Sequence, residues 1–211
     1  GGERLLADVA YLCVAFSFAE TRKGSMIRAG AIFRFLSRVV LESGIETAGE
    51  STSRHAADIL NSFARCGVWD EALFRRLSSI MRTACPENTP AKDIAVIVNA
   101  YSQATTRLGS TFRDTSLFLH MARLSLLKTD DELSPRVVAS IVNAFARVGV
   151  WDERIFKRMS LAIRNKRPGE VSLRDVARIV CAFSLAQRRP GSSLRDGSLF
   201  RHLSALLIAD L

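Results

Sequence analysis

Apolar residues fall into short segments of helical period along the chain, and each segment closes on an aromatic. The segments are VAYLCVAF, ADILNSF, IAVIVNAY, VASIVNAF and VARIVCAF, ending at Phe16, Phe63, Tyr101, Phe145 and Phe183. Apolar positions recurring three and four residues apart mark one face of an α-helix. A second aromatic follows each, at Phe33, Phe74, Phe118, Phe156 and Phe200. The separation within a pair alternates 17, 11, 17, 11, 17, and the next pair begins 27 to 30 residues later. This arithmetic predicts five pairs of helices, A then B.

Direct repetition agrees. ARCGVWDEALFRRLS at 64–78 returns as ARVGVWDERIFKRMS at 146–160. RKGSMIRAGAIF at 22–33 returns as RLGSTFRDTSLF at 107–118 and RPGSSLRDGSLF at 189–200. Asp70, Asp114, Asp152 and Asp196 stand four residues before the B aromatic, the place of an N-cap, and Ser134-Pro135 opens an A helix as cap and first-turn proline. Each helix has one apolar stripe that it cannot bury alone, so successive pairs must stack. The expected fold is all-α: an α-solenoid of about five antiparallel helix pairs, a single array over 1–211. Its repeats lie near 5–43, 53–84, 90–128, 134–166 and 172–211. Neither end carries a polar capping repeat, so a longer array, or neighbouring proteins at both ends, is expected.

Composition narrows the chemistry. At 48% hydrophobic and 24% charged, the chain can bury a core and is not a disordered tail. Its longest apolar run, 9–16, is far below the ~18 residues of a membrane span, and no membrane partner is expected. Cys13, Cys66, Cys85 and Cys181 form no CxxC pair and read as small core residues of a reducing compartment. His55, His120 and His202 lack ligand spacing, so no metal or cofactor is expected. Asp70/Glu71 and Asp152/Glu153 recur at one repeat position and therefore read as helix caps, where a catalytic pair would occur once. No P-loop or nucleophile elbow is present. The expectation is a protein that is not an enzyme.

The net charge is +9, and 25 of the 30 basic residues are Arg. That bias suggests a phosphate-bearing partner, because the guanidinium fork matches phosphate geometry. Three columns could carry binding. On helix A, positions −9, −5, −2 and +2 from the aromatic share one face. They hold Arg54, Lys92, Arg136 and Arg174 at −9, Asn61, Asn99 and Asn143 at −2, and Arg65, Gln103 and Arg147 at +2, while −5 varies through Asp58, Val96, Ser140 and Arg178. A cation in the first helical turn opposes the helix dipole, so its fourfold recurrence suggests phosphate anchoring beside amides that contact bases. The alternative is a solvated face with Asn bonded between A helices. The second column brackets the loop glycines Gly24, Gly109 and Gly191 with Arg22 and Arg28, Arg107 and Arg113, Arg189 and Arg195. These pairs contact phosphate, or the second Arg pairs locally; local pairing is preferred. The third column, Arg34, Arg75, Lys157 and Arg201, then Arg76 and Arg158 with His120 and His202 in register, reads as basic outer surface. Trp69 and Trp151 read as packing wedges at turns.

NSFARCGVWDEALFRRLS and NAFARVGVWDERIFKRMS resemble the repeats of the FAST-kinase-like, RAP-domain and heptatricopeptide proteins, similar in turn to octotricopeptide arrays. The resemblance rests on Asn-x-aromatic-Ala, then Gly, then Asp-Glu-x-x-Leu/Ile-Phe, and covers essentially the whole chain. It implies an organellar RNA-binding protein, mitochondrial or alternatively of a plastid, acting in RNA processing, stability or ribosome assembly. Two departures matter: no RAP-type nuclease-like domain is visible, and the odd repeats are longer than the usual unit; the first repeat also has Val14 and Ala29 in place of the Asn and the capping Asp. The expected function is non-enzymatic RNA binding, plausibly within a mitochondrial ribosome or other large ribonucleoprotein. The alternative is a protein scaffold serving an acidic partner.

Overall fold

The computed structural model describes residues 2–23, 25, 28–107 and 110–209; Gly24 and Gly109 of the predicted loops lie outside the described residues. Ten helices follow in order: α1 (Gly2–Thr21), α2 (Gly30–Glu42), α3 (Thr52–Arg65), α4 (Glu71–Met81), α5 (Ala91–Thr106), α6 (Thr115–Leu126), α7 (Pro135–Val148), α8 (Glu153–Arg164), α9 (Leu173–Arg188) and α10 (Gly197–Ala209). There is no strand among the described residues. Odd-numbered helices are the A row and even-numbered ones the B row. Each packs on its hairpin partner and on the same row of the next repeat, the topology of an α-solenoid. A helices lie closely side by side, whereas B helices meet more sparingly, so the A row takes the inner side.

Local chemistry sets the helix limits. Asp70, Asp114 and Asp152 cap α4, α6 and α8, their side chains accepting from the N–H groups of Leu73, Leu117 and Arg154. Asp196 accepts from the Leu199 N–H at 3.0 Å in the same way. Ser134 caps α7 ahead of Pro135. The first repeat solves the problem differently. Ala29 has no capping side chain, and its N–H donates to Glu20 Oε2 of α1 at 3.2 Å. In the even repeats the A helix stops at Gly67 and Gly149, which take φ of +64° and +75°. That left-handed geometry costs a side-chain-bearing residue about 1 kcal/mol or more.

The paired aromatics lock successive repeats together. Phe33 meets Phe63, Phe74 meets Tyr101, Phe118 meets Phe145 and Phe156 meets Phe183, all edge-to-face with centroids 4.8–5.2 Å apart. The B aromatic of one repeat therefore stands on the A aromatic of the next. All eight rings are at most 2% exposed. Such pairs add about 0.5–1.5 kcal/mol each beyond the burial of their area.

The odd-repeat loops explain why repeat length alternates. Arg107 lies 5.8 Å over Trp69 and Arg189 lies 6.0 Å over Trp151, so each long loop clasps the turn of the preceding even repeat. Trp69 and Trp151 also lie against Phe74 and Phe156, the packing role expected of them. Glu153 completes the second clasp by accepting from the Ser193 hydroxyl and N–H.

Candidate nucleic-acid interface

An open trough of about 800 Å³ runs across α3, α5, α7 and α9 on the inner row. Its walls are Lys92, Arg136, Arg174 and Arg178, with Asn61, Asn99, Ser134, Ser140 and Ser172 between them and Ala95, Val96 and Val137 below. Neighbouring A helices stand about 8–10 Å apart, so the −9 cations form a row at that spacing. Lys92, Arg136 and Arg174 are exposed, while Arg178, Asn61 and Asn99 are half-buried. Among the described residues, none of these six side chains makes a hydrogen bond or an ion pair. The Asn column is therefore not consumed in bonding one A helix to the next.

Asp175 is the one carboxylate lining the trough among the described residues, and it is engaged locally. Ser172 Oγ donates to Asp175 Oδ2 at 2.8 Å and accepts from the Asp175 N–H at 3.2 Å, closing the first turn of α9. The trough thus presents four cations against one lining carboxylate, beside amide and hydroxyl groups. Asp93, one residue from Lys92, is buried, and burial pushes its carboxyl above the usual range; Lys92 nearby works the other way.

Not every residue of the predicted face enters the trough. Arg54 is exposed and Asn143 half-buried on the same helical rows, without lining it. Arg65 and Arg147 hold the A row together. Their Nη2 atoms donate to Thr21 Oγ1 at 3.1 Å and Thr106 Oγ1 at 2.9 Å, the same bridge made twice. Val96, Ser140 and Arg178 of the variable −5 row of that face also line the trough, and so do Ser134 and Ser172, which lie outside the predicted rows. Of the two serines the sequence marks only Ser134, as a cap; Ser172 caps α9 in the same way, and a cap sits beside the first-turn cation by construction.

The loop arginines turn inward. Arg113 Nη1 donates to the carbonyls of Thr105 at 3.0 Å and Phe112 at 2.7 Å. Arg195 Nη1 donates to those of Gln187 at 3.0 Å and Leu194 at 3.1 Å. With Arg107 and Arg189 on the tryptophans, the loops of the third and fifth repeats use both guanidiniums to close themselves and to grip their neighbours. Arg22 and Arg28 of the first repeat are exposed.

The column two residues beyond the B aromatic departs from the expected surface role. Arg76, His120, Arg158 and His202 are all half-buried. Arg158 reaches back to the preceding repeat, bonding Asp130 Oδ1 and the Lys128 carbonyl, each at 2.6 Å. His202 Nε2 lies 3.1 Å from the Lys166 carbonyl. Burial holds the His120 imidazolium below the usual histidine range. Arg158 and His202 are struts between repeats, because the carbonyls ending the previous B helix need donors.

Among the described residues, no group of three or more His, Cys, Asp or Glu gathers, and no helix is long and apolar enough to cross a membrane. In comparisons with known proteins, no family model and no curated protein matches the chain.

Proposed function

We propose that this protein is a non-enzymatic RNA-binding solenoid whose ligand lies along the inner trough. The observation that carries this reading is the row Lys92, Arg136, Arg174 and Arg178, which makes no hydrogen bond or ion pair among the described residues, set beside the unbonded amides of Asn61 and Asn99. Cations at helix-to-helix spacing neutralise successive phosphates, and amides with free donors and acceptors contact base edges or 2′-hydroxyls. An open channel with single-sided positive charge suits a single strand. The loop arginines are outside this reading, since those of the third and fifth repeats hold the array itself together.

The resemblance of the second and fourth repeats to the FAST-kinase-like and RAP-domain class supports an organellar setting, mitochondrial before plastid, within a ribonucleoprotein. The test is competition. Labelled single-stranded RNA is bound to the protein and challenged with unlabelled RNA or with polyglutamate at equal charge. Displacement by RNA at far lower concentration supports the reading. Equal displacement by polyglutamate favours an acidic protein partner and a scaffold.

A further inference from the structure

The inner face changes chemistry in the first repeat. Aligning Phe16 with Tyr101 through the repeat places Tyr11 in the −5 row with Asp58, Val96, Ser140 and Arg178. It places Phe18 in the +2 row with Arg65, Gln103, Arg147 and Leu185. Tyr11 is 73% exposed and Phe18 60% exposed, the largest uncovered aromatics of α1. Two turns of helix separate them, about 10.5 Å along one face.

These rings stand in rows that keep solvent contact on the inner side of the A helices, one helix N-terminal to the trough, and not on the flank on which another helix pair would stack. In α5, which has neighbours on both sides, the residues equivalent to Asp8, Leu12, Ala15 and Ala19 are Asp93, Ile97, Ala100 and Ala104, and all four are buried. The residues equivalent to Tyr11 and Phe18, Val96 and Gln103, keep solvent contact. A further repeat packed against α1 would therefore cover Leu12 and leave Tyr11 and Phe18 in contact with solvent, as Val96 and Gln103 are.

Phe18 is held in place. The Arg65 guanidinium lies 4.7 Å from its ring centroid while donating to Thr21 Oγ1, so one face of the ring is backed by a fixed cation. A cation beside an exposed ring suits a flat ligand carrying negative charge better than an aliphatic side chain. A nucleotide combines both features.

We propose that Tyr11 and Phe18 on α1, next to α3 where the trough begins, form a stacking platform for unpaired nucleobases of a strand that continues beyond it. This inference rests on the RNA reading above and deepens it: phosphates are held along α5, α7 and α9, and bases are gripped on α1. Aromatic side chains stack any base, so the platform adds affinity without sequence preference.

The test uses two labelled single strands of equal length, one with bases and one of abasic ribose phosphates, and three proteins: the parent chain, Tyr11→Ala/Phe18→Ala, and Tyr11→Trp/Phe18→Trp. The exposed positions leave folding intact, checked by circular dichroism. The alanine pair is expected to weaken binding of the base-bearing strand about tenfold per ring, leave its salt slope unchanged and leave the abasic strand unaffected; the tryptophan pair restores affinity. A parent that binds RNA with a steep salt slope, unaltered by the alanine pair or altered equally for the abasic strand, overturns the platform and leaves the trough reading standing. A parent that binds neither strand overturns both. Tighter capture of an acidic peptide than of RNA, lost in the alanine pair, assigns the rings to a protein partner and overturns the platform.

Discussion

The phenol of Tyr101 on α5 donates to the Phe74 carbonyl of α4 at 2.5 Å, inside the core and across a repeat boundary. The same position holds Phe63, Phe145 and Phe183 in other repeats, with the same edge-to-face partner geometry. Tyr101→Phe therefore keeps the packing and loses one buried hydrogen bond, a cost of about 1 kcal/mol. Tyr101→Ala opens a cavity between two repeats and costs about 3–5 kcal/mol. Urea unfolding of both variants measures the difference.

The capping aspartates are unequal. Asp114 satisfies Leu117 N–H and the exposed Ser116 hydroxyl, whereas Asp70 satisfies Leu73 N–H and also accepts from Ser37 Oγ of α2 at 2.6 Å. Ser37 is 1% exposed and loses its partner when Asp70 goes. Asp114→Ala is expected to cost about 1 kcal/mol and Asp70→Ala about 2 kcal/mol, read by chemical denaturation.

These elements differ in how far the sequence reveals them. The caps were legible because an N-cap and the N–H it satisfies lie two or three residues apart. The ring pairs were half legible: ten aromatic positions announced the repeat, but the pairing of Phe74 with Tyr101 depends on how repeats stack. The struts were misread as surface for the same reason. Arg158 meets a carbonyl 30 residues earlier, and His202 one 36 residues earlier, distances at which a side-chain pattern is silent. The trough lay between these cases. Helical period places Lys92, Arg136, Arg174, Asn61 and Asn99 on one face, and only contacts across the A row separate them from Arg65 and Arg147, which bond Thr21 and Thr106 of the preceding A helices.

Arg158 and Arg154 provide a contrast of burial on α8. Arg158 is 20% exposed and bonds Asp130 and the Lys128 carbonyl; Arg154 is 71% exposed beside Asp152. Arg158→Met leaves the Lys128 carbonyl without this donor and Asp130 with Asn165 as its remaining side-chain donor, and is expected to cost about 1–2 kcal/mol. Arg154→Ala is expected to cost less than about 0.5 kcal/mol. Thermal melts of the two variants, run side by side, check the ratio.

Asp93 sets a pH-dependent term. Burial raises its folded pKa above the ordinary 3.8, with Lys92 and Arg54 lowering it and Asp58 raising it. An acid whose folded pKa lies above its unfolded value destabilises the fold once pH exceeds both, and this penalty disappears as pH falls below about 4. Asp93→Asn is therefore expected to raise Tm at pH 7 and to lose that advantage at pH 3. A Tm gain that is the same at both values contradicts this assignment.

The central claim is that the unpaired cations of the inner row neutralise RNA phosphates. Its most direct measurement is the affinity of the parent chain and of Lys92→Gln/Arg136→Gln/Arg174→Gln for a labelled single strand across a salt series. For single strands log K falls with log salt by about 0.7 per phosphate neutralised, so three contacts give a slope near −2 or steeper in the parent. The triple variant is expected to fold normally, since these side chains bond nothing among the described residues, and to flatten the slope by about 2. An equal slope in the two proteins would contradict the account.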